Sequence, residues 1–432
     1  MKPGARLQAA VEVLDDITLR HRPAAQALAD WGRSHRFAGS GDRAAIGNLV
    51  YDVLRRRLSI AARMDSDATR ALVLGAAPVA LGMTAEQVIA VADGSEHALA
   101  AASAEEAANL TRELPSDTPA HVRADIPEWL MASFVSVFGE EGALREGEAL
   151  AQRAPVDLRV NTLKADREKV LKALAKFGAE PTALSPIGVR IAPPKGAGRT
   201  PNVEVEPGHG KGWWEIQDEA SQLAAQLAGP GPRMQVMDLC AGAGGKTLAL
   251  SAIMQNTGQI YAYDSDRAQL RPIFERLKRA GTRNVQTMNA GDEEAVKALG
   301  PKFDLVFVDA PCTGSGVWRR RPDAKWRVKP QNLTDRTAEQ RAVLDLGASL
   351  VRPGGRLVYV TCSVLSEENQ QQAEAFIERH AEYQTEPYGP RWQAALGTTP
   401  PDSADGRDDT LLLTPARHAT DGFFIATFQR RS

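Results

Sequence analysis

The sequence predicts an α/β protein: a doubly wound parallel sheet over 213–432, a small α+β domain over 125–205 and a helical domain over 1–115. Three observations carry this. After about residue 213, short apolar runs alternate with helical stretches of ten or more residues, the pattern of βαβ units. The 432 residues are enough for two or three domains with sizeable cores. Proline- and glycine-rich stretches, Pro115-Ser116-Asp117-Thr118-Pro119 and 193–212, punctuate the chain between these regions.

In the first region Leu7, Val11, Leu14 and Ile17 recur at helical spacing, as do Ile46, Leu49, Val50, Val53 and Leu54. Gly39-Ser40-Gly41-Asp42 separates the two runs and offers an N-cap. In the second region Asp157-Leu158-Arg159-Val160-Asn161 reads as a strand before a polar turn, and Val170, Leu171, Leu174 and Phe177 restore a helical period. In the third, strands are expected at 236–239, 260–264, 285–288, 303–309 and 355–361. Two late runs, 411–413 and 423–428, follow no long helix and suggest an antiparallel edge.

Composition narrows the function classes. Fifty-two basic against 54 acidic residues give a net charge of −2, which excludes a generally basic nucleic-acid coat. The charge is unevenly spread: residues 1–63 hold eleven basic and six acidic side chains, residues 85–125 two basic and eight acidic. Three cysteines cannot build a disulfide framework, and the odd count suits a reducing compartment. Seven histidines never pair at metal-ligand spacing and no CxxC occurs, so no metal is expected. No apolar run approaches the ~18 residues that span a bilayer, and no signal peptide is visible. The expectation is a cytoplasmic monomer.

Asp238-Leu239-Cys240-Ala241-Gly242-Ala243-Gly244-Gly245-Lys246-Thr247 joins a strand to a helix. A P-loop needs glycine where Cys240 stands, and a dinucleotide fingerprint needs glycine at Thr247, so both matches fail. What remains is a nucleoside-binding turn, with Asp264 placed at the next strand's end to accept from ribose hydroxyls. That combination suits S-adenosylmethionine. Asp264 and Asp292 each carry a competing reading as helix caps. The cysteines fall at Cys240 in this turn, Cys312 after Asp309-Ala310-Pro311, and Cys362 after Thr361. All three lie beyond carboxyl ends of expected strands, the edge where open α/β sheets bind ligands.

Together the glycine turn, Asp309-Ala310-Pro311-Cys312-Thr313-Gly314-Ser315-Gly316, Arg321-Pro322-Asp323-Ala324-Lys325-Trp326 and Thr361-Cys362-Ser363 resemble the RsmB/NOL/NSUN family of RNA cytosine-C5 methyltransferases. Gln217-Asp218-Glu219-Ala220-Ser221-Gln222 and Asp421-Gly422-Phe423-Phe424 match flanking elements, and Leu158–Lys164 resembles the family's small domain. The likeness covers about 125–432. Over 1–115 the match is thinner: Asp42-Arg43 and 49–55 resemble the NusB-like RNA-binding domain of the bacterial RsmB branch. Departures are Gly242-Ala243 where the family usually has Ala-Pro, and Gly291-Asp292-Glu293 for the commoner Gly-Asp-Ala.

The resemblance implies a Rossmann-like methyltransferase core using S-adenosylmethionine. Cytosine C5 is a poor nucleophile until a thiolate adds at C6, and a carboxyl group at N3 would ease the charge shift. Spacing does not decide which cysteine attacks; DNA cytosine methyltransferases would point to Cys312. The RNA family instead assigns attack to Cys362, release to Cys312, the N3 contact to Asp309 and orientation to Lys246. It places the cofactor on Cys240, Ala241, Gly242, Ala243, Gly244, Gly245 and Lys246, with Asp264, Arg267, Asp292 and Asp309 around it and Asp266 as a further candidate. The Cys240 side chain reads as packed rather than catalytic.

Residues 319–329 hold six basic side chains and one acid, and Trp318 and Trp326 bracket the arginines. A charge run is usually a solvated face, but this mixture suits phosphate contacts and base stacking. Arg319, Arg320, Arg321, Lys325 and Trp326 are therefore expected on RNA, with ribosomal RNA, 16S above all, the first expectation. A tRNA methyltransferase, a noncatalytic RNA-binding or assembly factor, and a DNA methyltransferase are the alternatives. Thr361-Cys362-Ser363 speaks against the last.

Overall fold

Strands β1 (Val156–Val160), β2 (Glu180–Pro181), β3 (Gly188–Ile191) and β4 (Trp214–Ile216) form one antiparallel sheet in the order β2-β3-β1-β4. A second sheet holds β5 (Gln235–Asp238), β6 (Gln259–Ala262), β7 (Val285–Thr287), β8 (Phe303–Asp309), β9 (Val351–Thr361), β10 (Tyr383–Thr385), β11 (Leu411–Leu413) and β12 (Phe423–Arg430). These strands come from a computed structural model that describes residues 1–432. The chain divides into two compact units. The first is Met1–Ala154 with Pro193–Pro201 and Val317–Val328; the second is Pro155–Ala192 with Asn202–Gly316 and Lys329–Ser432. No helix is long and apolar enough to cross a membrane.

In the first unit, helices Pro3–Arg20, Ala24–Ser34, Ser40–Arg55, Arg57–Met64 and Thr69–Leu81 enclose a core that includes Leu7, Leu14, Ile46, Leu49, Val53 and Leu74. These are the helical-period positions of the sequence, buried because one apolar stripe per helix must leave water. Asp42 accepts the backbone N–H of Gly39 at 3.2 Å, so the expected N-cap region closes the start of the third helix.

The expected break at 115–125 does not end this unit. Asp125 is buried and accepts from the backbone N–H groups of Leu58 and Ser59 at 2.8 and 3.0 Å, tying the following segment to the bundle. Phe134, on helix Glu128–Leu150, stacks on Trp318 with ring centroids 5.9 Å apart.

The basic segment 319–329 requires a correction. Lys325 is 1% exposed and donates to the carbonyl of Arg55 at 2.8 Å; Trp326 Nε1 donates to the carbonyl of Leu54 at 2.6 Å. Arg319 is also buried, and its carbonyl accepts from Arg55 Nε at 2.9 Å. Arg57 and Lys325 lie 5.8 and 4.8 Å from the Trp326 ring. These groups anchor the segment to helix Ser40–Arg55, leaving Arg319 and Lys325 buried and Trp326 half-buried. The "basic plus aromatic" signature was being spent on packing, since a long cationic side chain can bury its stem against a ring. Arg321 is exposed and Arg320 half-buried.

In the second unit, Leu158, Val160, Val170, Leu174, Val189, Ile191 and Trp214 form the core of the small sheet. The large sheet runs β10-β12-β9-β8-β5-β6-β7, with β11 paired to β12. Strands β5 to β9 pair in parallel, whereas β12 pairs antiparallel with β9, β10 and β11. The two late apolar runs are thus the antiparallel strands they were expected to be. Strand β8 and the carboxyl-terminal half of β9 are almost wholly buried, which explains why they read as continuous apolar runs.

Candidate active site

Chain order reverses at β5, which pairs with β6 on one side and β8 on the other. That switch point, at the carboxyl ends of the strands, is where a doubly wound sheet leaves a crevice. The turn after β5 is stitched to both neighbours: Leu239 N donates to Phe307 O at 2.9 Å and Ala241 N to Tyr263 O at 2.8 Å. Gly244 has φ +84°, and a Cβ there would lie 2.5 Å from Ile273 Cγ1, so both backbone and space demand glycine. Its reward is a close start for the helix Gly245–Ile253, whose first N–H groups face the crevice end of the sheet.

Asp264 follows β6 and is buried. Its two oxygens accept one bond each, from Gly242 N and Asp266 N, both at 2.8 Å. A carboxylate offers about four acceptor sites, so capacity remains for a pair of hydroxyls. The competing reading of Asp264 as a helix cap fails, because the cap is Asp266, which accepts from Ala268 N at 2.7 Å. Asp292 does cap a helix, accepting from Ala295 N at 3.1 Å, and is exposed. Arg267 is exposed as well. The donor and acceptor set at this strand end therefore suits a nucleoside: a glycine turn, a helix start and an unsaturated carboxylate.

Two groups bear directly on charge. Lys246 Nζ pairs with Asp309 Oδ2 at 2.7 Å and lies 5.1 Å from the Phe423 ring. Asp238, fully buried beneath the turn, accepts from Thr247 Oγ1 at 2.6 Å, while its other oxygen has no partner. Burial pushes its carboxyl up to about 7, against the Thr247 bond that favours ionisation. Asp238 was visible in the sequence as the end of a strand, but nothing there marked it as titrating near neutrality.

Cys312 and Cys362 come together, Sγ to Sγ at 3.4 Å, across fifty residues of chain. The bond to Cys362, then burial, then the charge of Glu368 raise the Cys312 thiol well above the ordinary range, so Cys312 holds its proton and can donate it to the Cys362 sulfur. The Cys240 thiol is raised too, by burial and then by the charges of Asp264 and Asp238.

What fixes the pair was not legible in advance. Glu368 is fully buried and accepts from Thr313 N at 2.7 Å, Thr313 Oγ1 at 2.5 Å and Gln340 Nε2 at 3.1 Å. Gln340 also donates to Pro311 O at 2.9 Å, so both sides of Cys312 are held. Ser315 and Ser363 hydroxyls lie 2.9 Å apart, and Gly316 N donates to Cys362 O at 3.0 Å, joining the two cysteine segments directly. Gly422 N donates to Gly316 O at 2.8 Å; a Cβ on Gly316 would lie 2.2 Å from Gly422 O. That contact is the structural reason for the Asp421-Gly422-Phe423-Phe424 motif. Glu368 sits in the polar run Ser366-Glu367-Glu368-Asn369, which reads as solvated because nothing local reveals its burial.

Comparison with known proteins adds to this geometry. Residues 225–429 match the family model described as 16S rRNA methyltransferase RsmB/F, and residues 126–196 match the RsmF/B-like, ferredoxin-like domain. The chain is similar to a probable ribosomal RNA small subunit methyltransferase B of a Synechocystis species, at 34% identity over 312 residues, 70% of this chain and 66% of that protein. It is similar to the ribosomal RNA small subunit methyltransferase B of Photorhabdus laumondii at 32% identity, covering 71% of this chain and 66% of that one. The alignments therefore span a little under two-thirds of these relatives' length. Among solved structures, a methyltransferase homolog protein from Pyrococcus horikoshii is 28% identical with a TM-score of 0.59, covering 72% of this chain and 97% of that one. NSun6 from the same organism, solved with SFG, shares the fold at 23% identity and a TM-score of 0.62, covering 71% and 98%. The fold of the second unit is the Rossmann-like methyltransferase fold.

Proposed function

Because the chain belongs to the RsmB/NOL/NSUN family, we propose that it methylates C5 of a cytosine in RNA, with small-subunit ribosomal RNA as substrate. The observation that carries this reading is the pair of thiols 3.4 Å apart beside a Lys246–Asp309 ion pair at one strand-end edge. A single buried thiol would need no such arrangement. The turn 240–246, Asp264 toward the ribose, Asp292 toward the adenine amine and Arg267 as a further contact would hold S-adenosylmethionine, which would supply an electrophilic methyl on sulfur.

The Cys362 thiol loses its proton to solvent and its sulfur adds to C6 of the cytosine, forming a C–S bond and placing the electron pair of the former C5–C6 double bond in an enamine. Asp309, oriented by Lys246, exchanges a proton with N3 as that charge shifts. C5 then forms its bond to the methyl carbon while the bond from that carbon to the sulfonium sulfur breaks, leaving a neutral thioether. The C5 proton then leaves to solvent, the C5–H electron pair re-forms the C5–C6 double bond as the C6–S bond breaks, and Cys312, which keeps its own proton, assists by donating a hydrogen bond to the departing Cys362 sulfur. A cytosine reaches these groups only when turned out of its stack. Arg320 and Arg321, unlike Lys325 and Trp326, keep a role on the RNA backbone.

The test is methyl transfer from tritiated S-adenosylmethionine to purified small-subunit rRNA, to the assembled small subunit and to tRNA, followed by bisulfite mapping. Label in small-subunit rRNA at a bisulfite-resistant cytosine is expected. Label in tRNA alone would replace the substrate, and no label in any RNA would favour a noncatalytic RNA-binding factor.

A further inference from the structure

The helical unit contains a cavity of about 150 Å³ whose wall includes Asp52, Arg56, Ser59, Arg63 and Val79. At about 30 Å³ per water, it has room for a tetrahedral oxyanion. Its polar side is cationic. Arg63 gives Nη2 to the carbonyl of Gly75, but its buried Nε has no partner. Arg56 gives Nη2 to Gln152 at 3.1 Å, and neither arginine is paired with a carboxylate. Asp52 does not neutralise them, because it is already shared between Arg55 at 2.7 Å and Arg153 at 2.6 Å. The Ser59 hydroxyl donates to Asp125 at 2.6 Å.

Two guanidinium groups without a carboxylate partner on one cavity wall repel each other, and an anion held between them would relieve that repulsion. Burial followed by the Arg56 charge lowers the Arg63 pKa, as this arrangement requires. Guanidinium forks match phosphate oxygens in geometry as well as charge. We propose that this cavity is a phosphate-binding site formed by Arg63 and Arg56. On RNA it seats a backbone phosphate, a role that rests on the RNA-directed function above; the anion site itself does not.

Two variants of the full chain separate the outcomes. Arg63→Gln removes one of the two guanidinium groups. Val79→Glu places a carboxylate at the mouth, at a helix position that is 48% exposed, and so leaves the core intact even if Arg63→Gln fails to fold. Inorganic phosphate binding is read by calorimetry, and binding of a fluorescein-labelled single-stranded RNA by anisotropy over a salt series. The wild-type chain should bind phosphate saturably and each variant about tenfold more weakly or worse. For RNA, the slope of log affinity against log salt should fall by about 0.7 in Arg63→Gln. Unchanged phosphate affinity in both variants overturns the site. Lost phosphate binding with an unchanged RNA slope assigns it to free phosphate and overturns the RNA role. Methyl transfer is assayed alongside on the wild type; its absence would sink the proposed function while leaving the phosphate result standing.

Discussion

Removing the Glu368 carboxylate should loosen the Cys312 segment before it disturbs anything else. Glu368→Ala takes the acceptor from Thr313 N–H, Thr313 Oγ1 and Gln340 Nε2. Gln340 keeps its bond to Pro311 O, so the two Thr313 donors are stranded outright. At about 1–3 kcal/mol for each stranded buried donor, the loss is about 2–6 kcal/mol. Part is recovered, because burial holds the Glu368 carboxyl above its usual range and the alanine has no charge to bury. A net cost of about 3 kcal/mol is therefore expected. Glu368→Gln keeps one oxygen for the Thr313 N–H and turns an amide N–H toward the hydroxyl, so about 1 kcal/mol is expected. Urea denaturation measures the stabilities, and mass spectrometry follows the rate at which iodoacetamide labels the Cys312 peptide. The alanine variant should be the less stable and the faster labelled. If it matches the wild type in both readouts, Glu368 is not what holds the Cys312 segment.

Asp238 supplies a pH signature. Its folded pKa is raised to about 7 from 3.8, so its stabilising contribution is complete below about pH 4 and is lost as pH rises to about 7. At about 1.4 kcal/mol per pK unit this amounts to at most about 4 kcal/mol. The stability difference between wild type and Asp238→Asn should shrink by up to that much across this window; parallel pH–stability curves would contradict the assignment. Trp326→Ala should destabilise the helical unit by roughly 2–4 kcal/mol in thermal unfolding. Were Trp326 a base-stacking platform, stability would hold and RNA affinity alone would fall.

The sheet was legible because fully buried parallel strands print themselves as apolar runs, and β8 was read to the residue at both ends. The short strands β2, β3, β4 and β10 were not, having too few residues to show a period. Cys312, Cys362, Asp309 and Lys246 could be named from motifs, yet only three dimensions bring the two sulfurs to 3.4 Å and the ion pair to 2.7 Å. Glu368 and Asp238 escaped because burial, not residue type, gives them their importance. Lys325 and Trp326 misled for the mirror reason: cationic and aromatic residues look solvent-facing until a helix is found packed on them.

The central claim is the division of labour between two touching thiols, and a covalent-trapping gel with S-adenosylmethionine and substrate rRNA measures it most directly. Cys312→Ala should accumulate a protein–RNA adduct resistant to denaturation, because attack by Cys362 proceeds and release fails. Cys362→Ala should give neither adduct nor methylated product. An adduct in Cys362→Ala with none in Cys312→Ala would make Cys312 the nucleophile and contradict the account.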